Sequence, residues 1–193
     1  MTMVARPAMF LDRDGVINVD IGYLHRPEDC VFVEGIFDLV KRAGAAGLLV
    51  FVVTNQAGIG RGYYDEAQFA HFTSWMLQQF VDAGAPLTKV YHCPHHPTDA
   101  LSHFRVACDC RKPEPGMFLQ AAREFDVDMA GSTMVGDKAS DLLAAARAGV
   151  GRRVLYLGGG LPEDARATVD DGVIFADTLD AIRFERPAGT ENS

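Results

Sequence analysis

Long apolar runs are missing from this sequence. The longest, Leu48 to Val53, is far too short to cross a bilayer, so no helical membrane anchor is expected. Met1 to Pro7 has no basic stretch leading into an apolar one, so no signal peptide is expected and the cytoplasm is the default location. Basic residues are scarce as well: 18 Lys and Arg against 26 Asp and Glu leave a net charge of -8. Non-specific nucleic-acid binders carry basic surfaces, so that class is set aside, although a few local cations could still hold a phosphorylated ligand. Cysteines number only four, and three of them (Cys93, Cys108 and Cys110) share one short stretch with histidines. Two disulfides are conceivable, but in a chain without a secretory signal this clustering reads first as metal binding. Cys30 stands apart and is read as packed.

What is present is ordinary globular material. The chain has 193 residues, of which 48% are apolar, and no internal repeat or linker divides it. That is enough for one domain over residues 1–193, with a polar, frayed tail over 185–193. Short apolar runs recur at Ala8–Leu11, Leu48–Val53, Lys89–His92, Thr133–Val135, Arg153–Leu157 and Val173–Phe175. Each is cut off by a polar or glycine cluster, as expected of strands buried on both faces. Helical stripes lie between them: Ile36, Leu39, Val40, Ala43; then Phe69, Phe72, Met76, Phe80 after Asp65; then Met117, Ala121, Phe125; then Leu142, Leu143, Ala146. The expected class is α/β, a Rossmann-like doubly wound parallel sheet.

Asp12, Thr54, Cys93 and Asp137 each fall just past the carboxyl end of a predicted strand. In an open parallel sheet those ends share one edge, where ligands bind. Asp12-Arg-Asp-Gly15 places two carboxylates two residues apart, which in extended chain face the same way. Two such carboxylates repel unless a divalent cation or a proton neutralises one of them. Magnesium suits an oxygen site of this kind, with Asp137 as a further donor. Asp12 could then attack phosphorus and form an aspartyl-phosphate, while Asp14 protonates the leaving oxygen and later deprotonates water. Taken alone, Asp-x-Asp-Gly is equally a turn or a calcium loop. Thr54-Asn55-Gln56 offers a hydroxyl, an amide and backbone N–H groups for phosphate oxygens, or merely a capping turn. Arg111-Lys112 supplies cations for the transferred group, or a solvated surface pair.

These motifs, with Lys112-Pro113 and Gly136-Asp137, resemble the four signatures of the haloacid dehalogenase superfamily, in order and across about residues 8 to 157. The resemblance implies Asp12 as nucleophile and Asp14 as general acid/base. It implies Mg²⁺ on the Asp12 carboxylate, the Asp14 backbone carbonyl and Asp137, with Thr54 and Lys112 stabilising the phosphoryl group.

Cys93-Pro-His95 and Cys108-Asp-Cys110 offer three thiolates and an imidazole, a donor set that structural zinc favours. The intervening segment has little apolar content, so a metal would order it. Reduced structural cysteines or a redox pair at Cys108 and Cys110 are the alternatives, and His96 competes with His95. An inserted zinc loop over 93–110 resembles the capless branch that contains heptose bisphosphate and histidinol phosphatases. The zinc would be structural, positioning Arg111 and Lys112.

Within that branch the electrostatics differ. A bisphosphate needs cations, whereas histidinol phosphate needs carboxylates. Arg61, Arg111, Lys112, Lys138 and Arg26 lie on predicted rim loops against chiefly Asp20 and Asp65, which favours the bisphosphate. Asp20-Ile-Gly22-Tyr23-Leu-His25 and the cysteine loop resemble most the D-glycero-D-manno-heptose 1,7-bisphosphate 7-phosphatases. That resemblance implies sugar contacts from the segment with Asp20, Gly22 and Tyr23, and substrate recognition by Arg111; Thr54, Asn55, Gln56, Lys112 and Lys138, read from their own chemistry, complete the expected substrate-binding set. The partner would be a small phosphorylated sugar, with no nucleic acid or membrane, and the protein a monomer. Histidinol phosphate, a nucleic-acid 3′-phosphate end, a phospho-acceptor signalling module and a zinc-dependent binding module are the rivals. The signalling module would not need Asp14.

Overall fold

Neighbouring residues of the inner strands are buried alternately on two sides, and this fixes the layers. In β1 (Arg6–Leu11), Met9 and Leu11 face one core while Ala8 and Phe10 face the other. β2 (Leu49–Asn55) does the same with Val50 and Val52 against Phe51 and Val53. The computed structural model describes residues 5–158 and 172–184. Within them, β1, β2, β3 (Lys89–Cys93), β4 (Val127–Gly136), β5 (Arg152–Tyr156) and β6 (Val173–Ala176) form one six-stranded sheet. Its order is β3-β2-β1-β4-β5-β6, and every pairing is parallel. The predicted tail over 185–193, and two of the three glycines after β5, lie outside the described residues.

One core packs the sheet against α1 (Ile36–Ala45) and α3 (Glu66–Asp82), through Ile36, Leu39, Val40, Ala43, Phe72, Met76 and Phe80. The other packs it against α4 (Gly116–Phe125) and α5 (Ala139–Arg147). Helices therefore cover both faces, as parallel strands require. A four-residue α2 (Ala57–Gly60) follows β2. No helix among the described residues is long and apolar enough to cross a membrane.

Three expectations are corrected. β4 begins at Val127, six residues before the predicted start, and it reaches β1 through a register shift between Pro7 and Met9. Its first half carries Asp128, Gly131 and Ser132, so no apolar run announces it. In α5, Leu143 is exposed; Leu142, Ala144 and Ala145 face the core, because small alanines let the helix approach β4 closely. Thr54 and Cys93 lie within the last two residues of their strands rather than past them.

Candidate active site

From β1 the chain crosses to β2 on one side, and from β4 it crosses to β5 on the other. β1 and β4 are neighbours, so the crevice at their carboxyl ends is the topological switch point. Asp12 follows β1 and Asp137 follows β4. Asp12, Asp137 and Asp141 bring carboxylate oxygens within 4.8 Å of one another.

Lys112 sits among them, and its side chain is almost fully buried. Its ammonium donates to Asp12 Oδ1 (2.9 Å) and to the Val53 carbonyl (2.7 Å), and pairs with Asp141 Oδ1 at 2.7 Å. The Arg13 N–H also donates to Asp12 Oδ1, at 2.8 Å. Burial works against the Lys112 charge, but Asp12 and Asp141 outweigh it and raise its pKa. Burial and then the Asp141 charge raise the pKa of Asp12, against the pull of Lys112. Asp137 is pushed up to about 7 by burial and the Asp12 charge. Its Oδ1 is buried and accepts no hydrogen bond. Three crowded carboxylates, one ammonium and an orphaned carboxylate oxygen form a hard, oxygen-rich donor set with excess negative charge, which fits a magnesium ion. The cradle is tight: a Cβ on Gly15, whose φ is +97°, would lie 2.2 Å from Asp137 Oδ2.

The Asp14 carboxylate turns to a different set of partners, Arg13, Asn18 and Gln56. Arg13 is among the largest fully buried side chains, packed over the Phe72 ring with its carbon Cζ 5.0 Å from the centroid. Asn55 clamps the Lys112 backbone in both directions: its Nδ2 donates to the carbonyl and its Oδ1 accepts from the N–H, each at 3.0 Å. This amide therefore fixes the loop that delivers the lysine.

A cavity of about 320 Å³ opens over this cluster. Asp12, Asp14, Asp20, Gly22, Tyr23, Thr54, Asn55, Gln56, Arg111, Lys112 and Lys138 all line it, so the predicted catalytic and substrate residues share one space. Lys138 reaches both Asp20 Oδ2 (3.3 Å) and Asp137 Oδ2 (3.4 Å). Burial lowers the pKa of Lys138, but Asp137, Asp12 and Asp20 outweigh it and the shift is upward. Arg111 donates to the His95 carbonyl at 3.1 Å, which ties it to the cysteine loop.

Three predicted rim charges stand elsewhere. Asp65 caps α3, accepting the Gln68 N–H at 2.7 Å, and Arg26 pairs with Asp29 at 2.5 Å. Arg61 lies behind Tyr23: it donates to the phenol oxygen, sits 5.7 Å from the ring centroid, and pairs with Asp99 at 2.8 Å. Sequence reasoning missed Asp141 and Ser140 as cavity-lining residues. Asp141 did leave a signal, a carboxylate four residues after Asp137 at the start of a helix, where an acid usually serves the helix terminus.

The cysteine loop gathers a second cluster. Cys93 Sγ is 2.9 Å from Cys110 Sγ and 3.5 Å from Cys108 Sγ, and His95 Nδ1 is 3.6 Å from Cys93 Sγ and 3.4 Å from Cys110 Sγ. His96 is outside it, its Nδ1 accepting the Asp99 N–H at 2.9 Å. The hydrogen bond shared with Cys93 pulls the Cys110 thiol down to about 5, against burial. Tetrahedral ligands at the usual zinc–sulfur length stand roughly 3.7 Å apart, close to the spacing here. Three thiols and one imidazole of this proximity and softness fit zinc. Cys30 lies apart, half-buried against the first core.

Comparison with known proteins agrees with this arrangement. A family model described as HAD-hydrolase-like matches residues 109–182. A curated relative from Vibrio cholerae serotype O1, D-glycero-beta-D-manno-heptose-1,7-bisphosphate 7-phosphatase, is 49% identical over 79% of this chain and 82% of its own. The protein of that name from Escherichia coli O6:H1 is 50% identical over 77% and 78%. The crystal structure of D,D-heptose 1,7-bisphosphate phosphatase from B. bronchiseptica, complexed with magnesium and phosphate, superposes with a TM-score of 0.78. It is 33% identical and covers 91% of this chain and 94% of its own. The switch-point carboxylates, the buried lysine and these likenesses place the chain in one group: it belongs to the D-glycero-beta-D-manno-heptose-1,7-bisphosphate 7-phosphatase family of HAD-like phosphatases.

Proposed function

We propose that the chain removes the 7-phosphate of D-glycero-D-manno-heptose 1,7-bisphosphate, with preference for the β anomer named in its relatives. The observation that carries this reading is the Asp12, Asp137 and Asp141 cluster around buried Lys112, at the floor of a cavity rimmed by Arg111 and Lys138. Asp12 Oδ1 is held by two donors, so Oδ2 is the attacking oxygen. Asp14 gives a proton to the leaving oxygen and later takes one from water. Lys112 and Thr54 neutralise and orient the phosphoryl oxygens. Asp12, Asp137 and the Asp14 carbonyl would hold Mg²⁺, which when bound supplies positive charge to those oxygens. Cys93, His95, Cys108 and Cys110 would hold Zn²⁺, acting on Arg111 through the His95 carbonyl. We read the chain as one capless domain working as a cytoplasmic monomer.

The test is steady-state kinetics on both heptose bisphosphate anomers, histidinol phosphate and a generic ester, with and without Mg²⁺. The expected result is a kcat/KM for the β anomer at least about tenfold above the others, and no turnover without Mg²⁺. Preference for histidinol phosphate would overturn the substrate, and turnover independent of Mg²⁺ would overturn the mechanism.

The second metal has its own prediction. Cys110→Ser should release zinc, measured by elemental analysis, and lower the melting temperature by at least about 5 °C, since each kcal/mol shifts a domain of this size by roughly 2–4 °C. An unchanged melting curve would remove zinc from the structural account.

A further inference from the structure

Tyr23, at the mouth of the cavity, has a φ of +56°, in the left-handed region that suits glycine, and the residue is 43% exposed. A bulky residue keeps such a backbone only where its surroundings fix it. Three neighbouring side chains do so here. His25 Nδ1 donates to the Tyr23 carbonyl at 2.8 Å, and the Tyr63 ring meets the Tyr23 ring edge-on at 4.5 Å. Arg61 Nη1 donates to the phenol oxygen, and its carbon Cζ lies 5.7 Å from the ring centroid. Further back in the same loop, Asp20 accepts the Gly22 N–H at 3.0 Å and pairs with Lys138 at 3.3 Å.

Arg61 is itself held from behind. A guanidinium only donates, and its planar fork has fixed directions. Asp99 takes the edge made by Nε, 3.3 Å from its carbonyl oxygen, and Nη2, 2.8 Å from its carboxylate, which leaves Nη1 aimed at Tyr23. The base of Arg61 is fixed too, because the turn before it is docked on the cysteine loop. The Leu101 N–H donates to the Gly60 carbonyl at 2.7 Å, and a Cβ on Gly60 would lie 2.5 Å from the Pro94 carbonyl oxygen. Tyr23 lines the cavity and Arg61 does not. The phenol oxygen is therefore occupied by a donor from outside the cavity. Its own hydrogen, which a guanidinium cannot accept, is left for an oxygen atom inside.

We infer that Arg61 is a positioning residue for substrate binding: it holds the Tyr23 phenol so that its hydrogen is presented to an oxygen of the sugar, and Asp99 of the cysteine loop sets its reach. The inference rests on the reading of this cavity as the site of a phosphorylated sugar. Without Arg61 the ring loses its cation, and the phenol is free to turn towards water. The phosphate to be removed belongs on the cavity floor, beside Asp12 and Lys112 and away from Arg61. The loss therefore falls on holding the sugar rather than on phosphoryl transfer.

Arg61→Met keeps much of the apolar stem and removes the donors. Its KM for heptose bisphosphate should rise about tenfold, the size of one hydrogen bond, with kcat within about twofold. The inhibition constant of inorganic phosphate, which needs only the floor, should stay within about twofold of the parent value. Tyr23→Phe should raise KM by a similar factor. The double variant should raise it no further, because both changes remove one interaction. Asp99→Asn, which keeps the backbone carbonyl, should raise KM about threefold. An unchanged KM in Arg61→Met would overturn the inference, as would a phosphate constant that moves as far as KM. So would a double variant whose KM rises about a hundredfold, since Arg61 would then meet the substrate on its own account. The premise fails separately. If the intact chain prefers another ester to heptose bisphosphate, the substrate reading is lost, and the same KM comparisons on that ester decide the role of Arg61.

Discussion

Asp12→Asn is expected to lower turnover by at least about ten-thousandfold, measured as steady-state phosphate release, because the attacking carboxylate oxygen is gone. The same change should not weaken the fold. An asparagine oxygen can still accept from the Arg13 N–H and from Lys112, the two groups that hold Oδ1. Burial and Asp141 raise the pKa of Asp12, which means that the folded protein disfavours its charge. For an acid whose folded pKa lies above its unfolded one, the ionised form is the destabilised form at neutral pH, so a neutral isostere removes a cost. The melting temperature without added metal should therefore stay level or rise while activity disappears. A variant that keeps more than about one hundredth of the turnover would exclude Asp12 as the nucleophile.

Lys112→Met should produce the opposite pattern in stability, with activity lost as well. The ammonium is the shared partner of Asp12 and Asp141, and both carboxylates are buried. Removing it leaves two like charges facing each other with no counterion. Breaking a buried pair in this way costs about 3–5 kcal/mol, which urea denaturation at neutral pH would detect directly. Losing a donor aimed at the transferred phosphoryl group should also lower kcat by about 10²–10³-fold. Adding Asp12→Asn to Lys112→Met should return part of the lost stability, because one of the two stranded charges is then gone. If the double variant is no more stable than Lys112→Met alone, the lysine is not the counterion of this cluster.

How much of this was legible in the sequence differs by feature. Strands buried on both faces announce themselves as apolar runs, so β1, β2 and β5 were visible within a residue or two. The first half of β4 was not, because its polar and small residues pair beside a register shift. Asp12, Thr54, Lys112 and Asp137 could be found because each stands beside a strand end or a cluster of chemistry-bearing neighbours. Asn55 was found for a different duty: it was expected on the substrate, and its amide is spent on the Lys112 backbone. Asp141 was passed over because an acid in the first turn of a helix has a common local explanation, and only the path of Lys112 across the site makes it a partner. Arg61 and Asp99 were hidden as a pair, Arg61 having been read as a rim cation. What they do depends on which loops meet, and that is decided by topology rather than by neighbours in the chain.

The loops over 16–29 and 57–64 and the cysteine loop over 93–110 meet at Arg61, which comes from the second, holds Tyr23 of the first and pairs with Asp99 of the third. They form a transplantable cassette only as a set. A graft of the first loop alone into a distant phosphatase would import Tyr23 without the cation that steadies it. A graft of the cysteine loop alone would import Asp99 with nothing to grip. New substrate ranges in this scaffold are therefore reached by exchanging the rim whole.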